Sequence, residues 1–189
     1  YLKAHSQDLI DGLMRGLYLH DDEDLLRRER NLKLMSLLQK VEVSEFAKSV
    51  LPYQIFLDRR QILQTWARQQ CQQGRKGIAK FKTDVGLILI GGCGPDDYSE
   101  FSGDQAVLIL DLGGDDFYPD VSASIFDLSG QDHYEAATAW TFASGFFRSR
   151  VVMDFGGNDV YQCSQGCAAA SLLGASLLID LDGNDIYRS

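Results

Sequence analysis

Basic residues almost vanish from the second half of this chain. Residues 83–189 hold 3 Lys/Arg against 17 Asp/Glu, a balance of -14, whereas residues 1–82 hold 15 against 10, a balance of +5. So acidic a half argues against nucleic acid as its partner, and the basic half carries no motif that would make it a nucleic-acid binder. No apolar run approaches the roughly 18–20 residues of a helical membrane span. Cysteine is scarce: Cys71, Cys93, Cys163 and Cys167 are too few and too scattered for a disulfide framework. Cys163 and Cys167 also lack the CxxC spacing of a zinc knuckle or redox pair. We read the cysteines as small residues filling a tight interior; a bridge between Cys163 and Cys167 needs the chain to turn at Gly166. A catalytic constellation is missing too. His5 and His20 sit near expected helix ends as solvated or capping residues, and His133 reads as a tolerated substitution in a turn.

What the chain has in abundance is one repeated figure. Residues 151–161, VVMDFGGNDVY, return as LLIDLDGNDIY at 177–187, VLILDLGGDDFY at 107–118 and SIFDLSGQDHY at 124–134. A weaker copy, LILIGGCGPDDY, occupies 87–98. The common pattern is an apolar run, then Asp-x-x-Gly-x-Asp-x-Tyr. Its slots hold Asp111, Gly114, Asp116 and Tyr118, then Asp127, Gly130, Asp132 and Tyr134. They continue with Asp154, Gly157, Asp159 and Tyr161, and with Asp180, Gly183, Asp185 and Tyr187. In the weaker copy Gly91 replaces the leading Asp, while Gly94, Asp96 and Tyr98 hold their slots. Such self-similarity decides the architecture before any single element does.

Residues 1–72 have helical periodicity. Ser6 caps a first segment, the acidic cluster Asp21–Asp24 opens a helix over about 22–41, and Ser44 caps a third. Pro52 marks a break before a last helix over about 53–72, which stops near Gly74. A basic, glycine-interrupted stretch, QGRKGIAKFK (73–82), then separates a helical cap domain (1–82) from an acidic repeat domain (83–189). From Val85 the pattern turns to short β-rich runs stopped by Gly, Asp and Asn. Motif steps of 16–27 residues suit one coil of a β-solenoid, and small-residue segments such as 163–176 fit a narrow stack. The expected fold is therefore α+β by segment: helices, then a β-solenoid resembling a parallel β-helix. An antiparallel hairpin array is the alternative. The chain opens at Tyr1 rather than Met and stops directly after a motif, so we expect the solenoid to continue beyond Ser189.

Each slot has a local task. The Gly permits positive φ, the leading Asp accepts backbone N–H groups as an Asx-turn, and the Tyr covers the turn with its hydroxyl wet. Stacked repeats place the tyrosines in one row and the aspartates in two columns. One column holds Asp111, Asp127, Asp154 and Asp180; the other holds Asp96, Asp116, Asp132, Asp159 and Asp185. Carboxylates about 5 Å apart repel by roughly 3 kcal/mol at an effective dielectric near 20. With so few cations nearby, either solvent and N–H groups relieve the repulsion or a metal does. Ca²⁺ is the natural candidate, so these nine aspartates are the candidate metal ligands, with Asp154, Asp159, Asp180 and Asp185 the best-formed part.

The stretch Gly91-Gly92-Cys93-Gly94-Pro95-Asp96-Asp97-Tyr98-Ser99 resembles the repeats-in-toxin nonapeptide GGxGxDxUx, which binds Ca²⁺ in a parallel β-roll. The other copies are similar at their Gly, Asp and apolar slots but carry Asp where that pattern has its first Gly. The chain also looks like bacterial surface-type repeat proteins with DxxGxDxY units. The resemblance implies a calcium-stabilised, extracytoplasmic repeat protein. Two functions follow. The first is a non-enzymatic scaffold that meets other proteins or glycans, with further repeats or another chain covering its last coil. The second is a carbohydrate-active β-helix, which needs an isolated carboxylate pair beside aromatic platforms.

Overall fold

The computed structural model describes residues 32, 33, 36, 39, 40, 42–103, 105–146, 148–172 and 174–189. The expected first helix, the acidic opening of the second, and His5 and His20 lie outside these residues. The chain divides into two compact units, Tyr1–Val43 and Ser44–Ser189. In the first, the described residues Leu32, Lys33 and Ser36 are helical, and the Ser36 hydroxyl donates to the Lys33 carbonyl at 2.8 Å.

Helix α1 (Val43–Val50) runs to a 3₁₀ turn, Leu51–Tyr53, which Pro52 opens with its preset φ. The helix expected over 53–72 is two, α2 (Gln54–Asp58) and α3 (Arg60–Gln72), broken at Arg59. Gly74 then takes a φ of +74° and ends the helical segment where the sequence suggests. Strand β1 (Ala79–Thr83) overlaps the stretch expected as a boundary, and pairs antiparallel with β2 (Gly86–Ile90).

The remaining strands are β3 (Ala106–Asp111), β4 (Phe117–Pro119), β5 (Ser124–Asp127) and β6 (His133–Ala136). They continue as β7 (Gly145–Phe146), β8 (Ser149–Asp154), β9 (Val160–Cys163), β10 (Ser171–Leu172), β11 (Ala175–Asp180) and β12 (Ile186–Arg188). The apolar run of every motif is a strand of one sheet, in the order β1-β2-β3-β5-β8-β11. The Tyr-bearing segments form a second sheet, β12-β9-β6-β4, and β10 pairs with β7 in a third. Every pairing among β2–β12 is parallel, so the hairpin-array alternative does not describe this chain. The fold is mixed α+β: a short helical segment and many strands.

Both faces of the first sheet are covered, which explains apolar runs without polar alternation. One face turns Leu89, Ile109, Ile125 and Val152 towards Tyr98, Tyr118, Tyr134 and Tyr161 in a continuous buried cluster. The other turns Leu110, Phe126 and Met153 towards Phe56, Leu63 and Ala67 of the helices. The Phe56 and Phe126 rings stack with centroids 3.9 Å apart, and burying one such ring stabilises by roughly 1.5–3 kcal/mol. These contacts explain why the helices from Ser44 onwards belong to the same compact unit as the strands, although the charge switches near residue 82.

The cysteines are not free fillers. Cys71 is bonded to Cys93, tying α3 to the first motif, and Cys163 to Cys167, with the turn at Gly166 (φ +59°). Residues distant in sequence meet because α3 packs on the sheet, which spacing alone cannot reveal. Two disulfides are compatible with an extracellular protein. Among the described residues no helix is long and apolar enough to cross a membrane.

Candidate metal centre

Strand register carries the leading aspartates into one column. Asp111 pairs with Asp127, Asp127 with Asp154, and Asp154 with Asp180. In the first three, Oδ1 accepts the N–H two residues on: Gly113 at 2.8 Å, Ser129 at 3.1 Å and Gly156 at 2.9 Å. This is the Asx-turn the sequence suggests. The other oxygen accepts a tyrosine hydroxyl from the preceding motif. Tyr98 donates to Asp111, Tyr118 to Asp127 at 2.5 Å, and Tyr134 to Asp154 at 2.7 Å.

The tyrosines therefore do not keep their hydroxyls wet. Tyr98, Tyr118, Tyr134 and Tyr161 are buried, and their rings stack with Tyr187 at centroid spacings of 4.7–4.8 Å. A buried phenol needs an acceptor, and the aspartate column supplies it. Gly91 marks where that column begins: a Cβ there would lie 1.9 Å from Asp111 Oδ2 and 2.2 Å from the Tyr98 hydroxyl. The weaker first copy is thus shaped by the Tyr98–Asp111 bond it must admit.

Gly114 and Gly183 take the positive φ that the sequence suggests, +152° and +150°, but two other turn glycines have a different reason. At Gly157 a Cβ would stand 1.7 Å from the Gly130 carbonyl oxygen, and at Gly130 1.9 Å from that of Gly114. Neither has φ in the left-handed range. Close approach of neighbouring turns, rather than positive φ, demands glycine there.

The second aspartates form their own ladder. Each gives one oxygen to the backbone N–H of its counterpart one motif earlier. Asp116 Oδ1 accepts from Asp96 at 2.7 Å, Asp132 from Asp116 at 2.8 Å, Asp159 from Asp132 at 2.7 Å and Asp185 from Asp159 at 3.0 Å. The other oxygens of Asp116, Asp132 and Asp159 are buried and accept nothing. All nine candidate aspartates fall into four groups: Asp96/Asp111/Asp116, Asp116/Asp127/Asp132, Asp132/Asp154/Asp159 and Asp159/Asp180/Asp185. Within each, one ligand atom per residue lies within 4.8 Å of the others. The first three groups are wholly buried and the last only in part, so the best-enclosed clusters precede the pair ending in Asp180 and Asp185.

Burial sets the electrostatics. Desolvation pushes Asp111 up to about 6, Asp159 to about 7, Asp132 to about 8 and Asp116 to about 9. It also raises Asp127, Asp154 and Asp180, with neighbouring carboxylates adding to the shift. Such groups must hold protons or face cations, and these clusters could hold a metal ion.

Outside the clusters, the slot before the second Asp makes a further polar ladder that the sequence reading missed. Asp115 accepts the Gln131 N–H at 3.1 Å, and Asn158 accepts that of Asn184 at 2.9 Å. Its signal was a polar residue in that slot of four copies, Asp115, Gln131, Asn158 and Asn184, with Pro95 in the first. His133 stands apart from the aspartates, its ring against Phe117 with centroids 5.3 Å apart. Comparison with known proteins returns no matching family model, no matching curated protein and no matching solved structure.

Proposed function

We propose that the strand-rich unit is a parallel β-solenoid, one motif per coil, acting as a non-enzymatic extracytoplasmic scaffold whose acidic interior Ca²⁺ stabilises. The observation that carries this reading is the ladder of buried carboxylate oxygens without partners on Asp116, Asp132 and Asp159, each inside a group of three aspartates. Ca²⁺ takes carboxylate oxygens in loose geometry, and here it would neutralise charge in a half of the chain that holds 17 Asp/Glu against 3 Lys/Arg. Each repeat adds one leading and one second aspartate, so one divalent ion per repeat balances the charge it brings. The likeness to repeats-in-toxin motifs supports the same reading, as do the two disulfides for an extracytoplasmic setting. A protein chain or further repeats would cover the last coil, and glycans are candidate ligands of the outer surface.

The carbohydrate-active alternative draws no support from the geometry. It needs unlike residues converging beside exposed aromatic platforms, whereas these carboxylates repeat two slots and four of the five motif tyrosines are buried.

Thermal melting in EDTA and in millimolar Ca²⁺ tests the proposal. Binding to the folded state alone raises the melting temperature by mass action. The wild type should melt higher in Ca²⁺, and the Asp159→Asn/Asp185→Asn double variant should lose most of that rise while keeping its turns. Identical wild-type curves would end the calcium reading and leave the aspartates as turn-formers.

A further inference from the structure

Away from the aspartate columns, a cavity of about 250 Å³ opens between the end of α3, the stretch that follows it and the start of the first motif. Several contacts hold its walls. The Cys71–Cys93 bond ties the last turn of α3 to the first motif. The Cys93 N–H donates to the Arg75 carbonyl at 3.0 Å, which lays residues 75–77 along that motif. Gly92 lies flat against this stretch, since a Cβ there would stand 2.7 Å from the Gly77 nitrogen. Walls pinned in this way are formed before any ligand arrives, which lowers the ordering cost of binding.

The lining combines an apolar space with positive charge. Trp66 of α3 is 39% exposed, Ile90 and the buried Leu112 face it across the cavity lining, and Gly77, Gly91 and Gly92 put no side chain into the space. The charged members of the lining are both cations, Arg75 and Lys76. Both are exposed, and neither forms an ion pair among the described residues. Residues 83–189 hold 17 Asp/Glu, yet no acidic side chain among the described residues lines this cavity. The carboxylates behind the glycine wall are already engaged: Asp96 accepts the Gly92 N–H, and Asp111 accepts Tyr98 and Gly113. Two unpaired cations beside an aromatic-walled apolar space match a ligand with an anionic group on an apolar ring.

We propose that this cavity binds a small aromatic carboxylate, its ring against Trp66 and its carboxylate on Arg75 and Lys76 at the mouth. The planar guanidinium of Arg75 suits two carboxylate oxygens at once, and Lys76 adds a point charge. The Gln70 amide, also in the lining, supplies a further donor. The volume falls below the roughly 300–1,000 Å³ of drug-sized pockets, so one ring or two fused rings fit and a polymer does not. A sugar acid carries the same carboxylate, but its hydroxyls would lie against Ile90 and Leu112 without partners. The site needs neither the solenoid reading nor bound Ca²⁺.

The probe is 2-naphthoate, titrated into the full chain and read by the indole N–H resonances of its two tryptophans, Trp66 and Trp140. A Trp140→Phe chain assigns the Trp66 signal. We expect that signal to move saturably with a Kd of about 0.1–1 mM, as a ligand of this size allows, while the Trp140 signal stays in place. The uncharged 2-naphthalenemethanol should bind about tenfold more weakly, and the Arg75→Gln/Lys76→Gln chain should bind the two alike. Those substitutions fall on exposed side chains and keep the Arg75 carbonyl that holds Cys93, so the melting temperature should not change. Should it fall, the wild type alone decides: raising salt from about 0.05 to 0.5 M should weaken naphthoate and not the alcohol. No saturable shift up to about 10 mM naphthoate overturns the proposal. Equal binding of the alcohol by the wild type also overturns it, leaving an apolar hollow with no use for its cations. Glucuronate binding as tightly as naphthoate overturns it in favour of a sugar acid.

Discussion

The two aspartate columns use the same residue at the same spacing, yet they are satisfied differently. At Asp111, Asp127 and Asp154 both carboxylate oxygens are bonded, one to the turn's own N–H and one to a tyrosine hydroxyl. At Asp116, Asp132 and Asp159 one oxygen caps a neighbouring turn and the other accepts nothing. The leading column therefore builds the turn and anchors the tyrosine stack, and its charge is partly met by donors. Unmet acceptor capacity gathers in the second column, with Asp180 Oδ1 the one such oxygen of the leading column among the described residues. A cation, if bound, matters most there, while removing the leading column removes structure whether or not a cation is bound.

The largest expected effect separates the columns directly. Asp127→Ala leaves the Tyr118 hydroxyl buried without an acceptor and frees the Ser129 N–H, which should destabilise by about 2–4 kcal/mol. Asp132→Ala frees only the Asp116 N–H and also removes an unpartnered buried oxygen. In EDTA its cost should stay near 1 kcal/mol, the worth of one net hydrogen bond. Urea unfolding of both variants in EDTA measures the difference; equal losses would erase the distinction between columns.

Changing pH should sharpen the same contrast. Burial raises Asp111, Asp159, Asp132 and Asp116 to about 6, 7, 8 and 9, above the value near 3.9 of an unfolded aspartate. A raised folded pKa means the native state holds more protons, so stability falls as pH rises. The contribution is fully present below about pH 4 and is lost through the window from about 6 to 9. In EDTA the melting temperature should drop by several degrees across that window. Because Asp116 is raised to about 9 and Asp111 only to about 6, Asp116→Asn should flatten the drop more than Asp111→Asn does. A melting temperature that climbs from pH 6 to 9 in EDTA would show that these carboxyls are charged and content in the fold.

The repeated slots were legible because they impose one register: five motifs in phase give parallel strands, one tyrosine row and two aspartate columns. The clustering of the nine aspartates follows from that register alone. What the sequence hid was depth. Tyrosine reads as an amphipathic surface residue in a turn, and nothing local shows that Tyr118 is stacked between Tyr98 and Tyr134 in a buried cluster, its hydroxyl shut away from solvent. The Cys71–Cys93 bridge was hidden for a similar reason, since it joins a helix to a turn through packing of Phe56 and Ala67 on Phe126. Glycine at 130 and 157 looked like a φ requirement, because a sequence carries no trace of the neighbouring turn's carbonyl.

The smallest expected effect lies within the leading column, between its interior and its edge. Tyr118→Phe removes a hydroxyl that is, among the described residues, the only side-chain donor to Asp127, with both groups fully buried. One oxygen of Asp127 then loses its partner, and destabilisation of about 1–2 kcal/mol should follow. Tyr187→Phe deletes the same bond, to Asp180, on a ring that is 57% exposed. Water can replace that donor, so the change should stay below about 0.5 kcal/mol, as at an ordinary surface position. The ring stack survives in both variants, which keeps the comparison to the hydroxyl alone. If Tyr187→Phe costs as much as Tyr118→Phe in the isolated chain, the last motif is as enclosed in solution as the interior ones, and the edge is covered there.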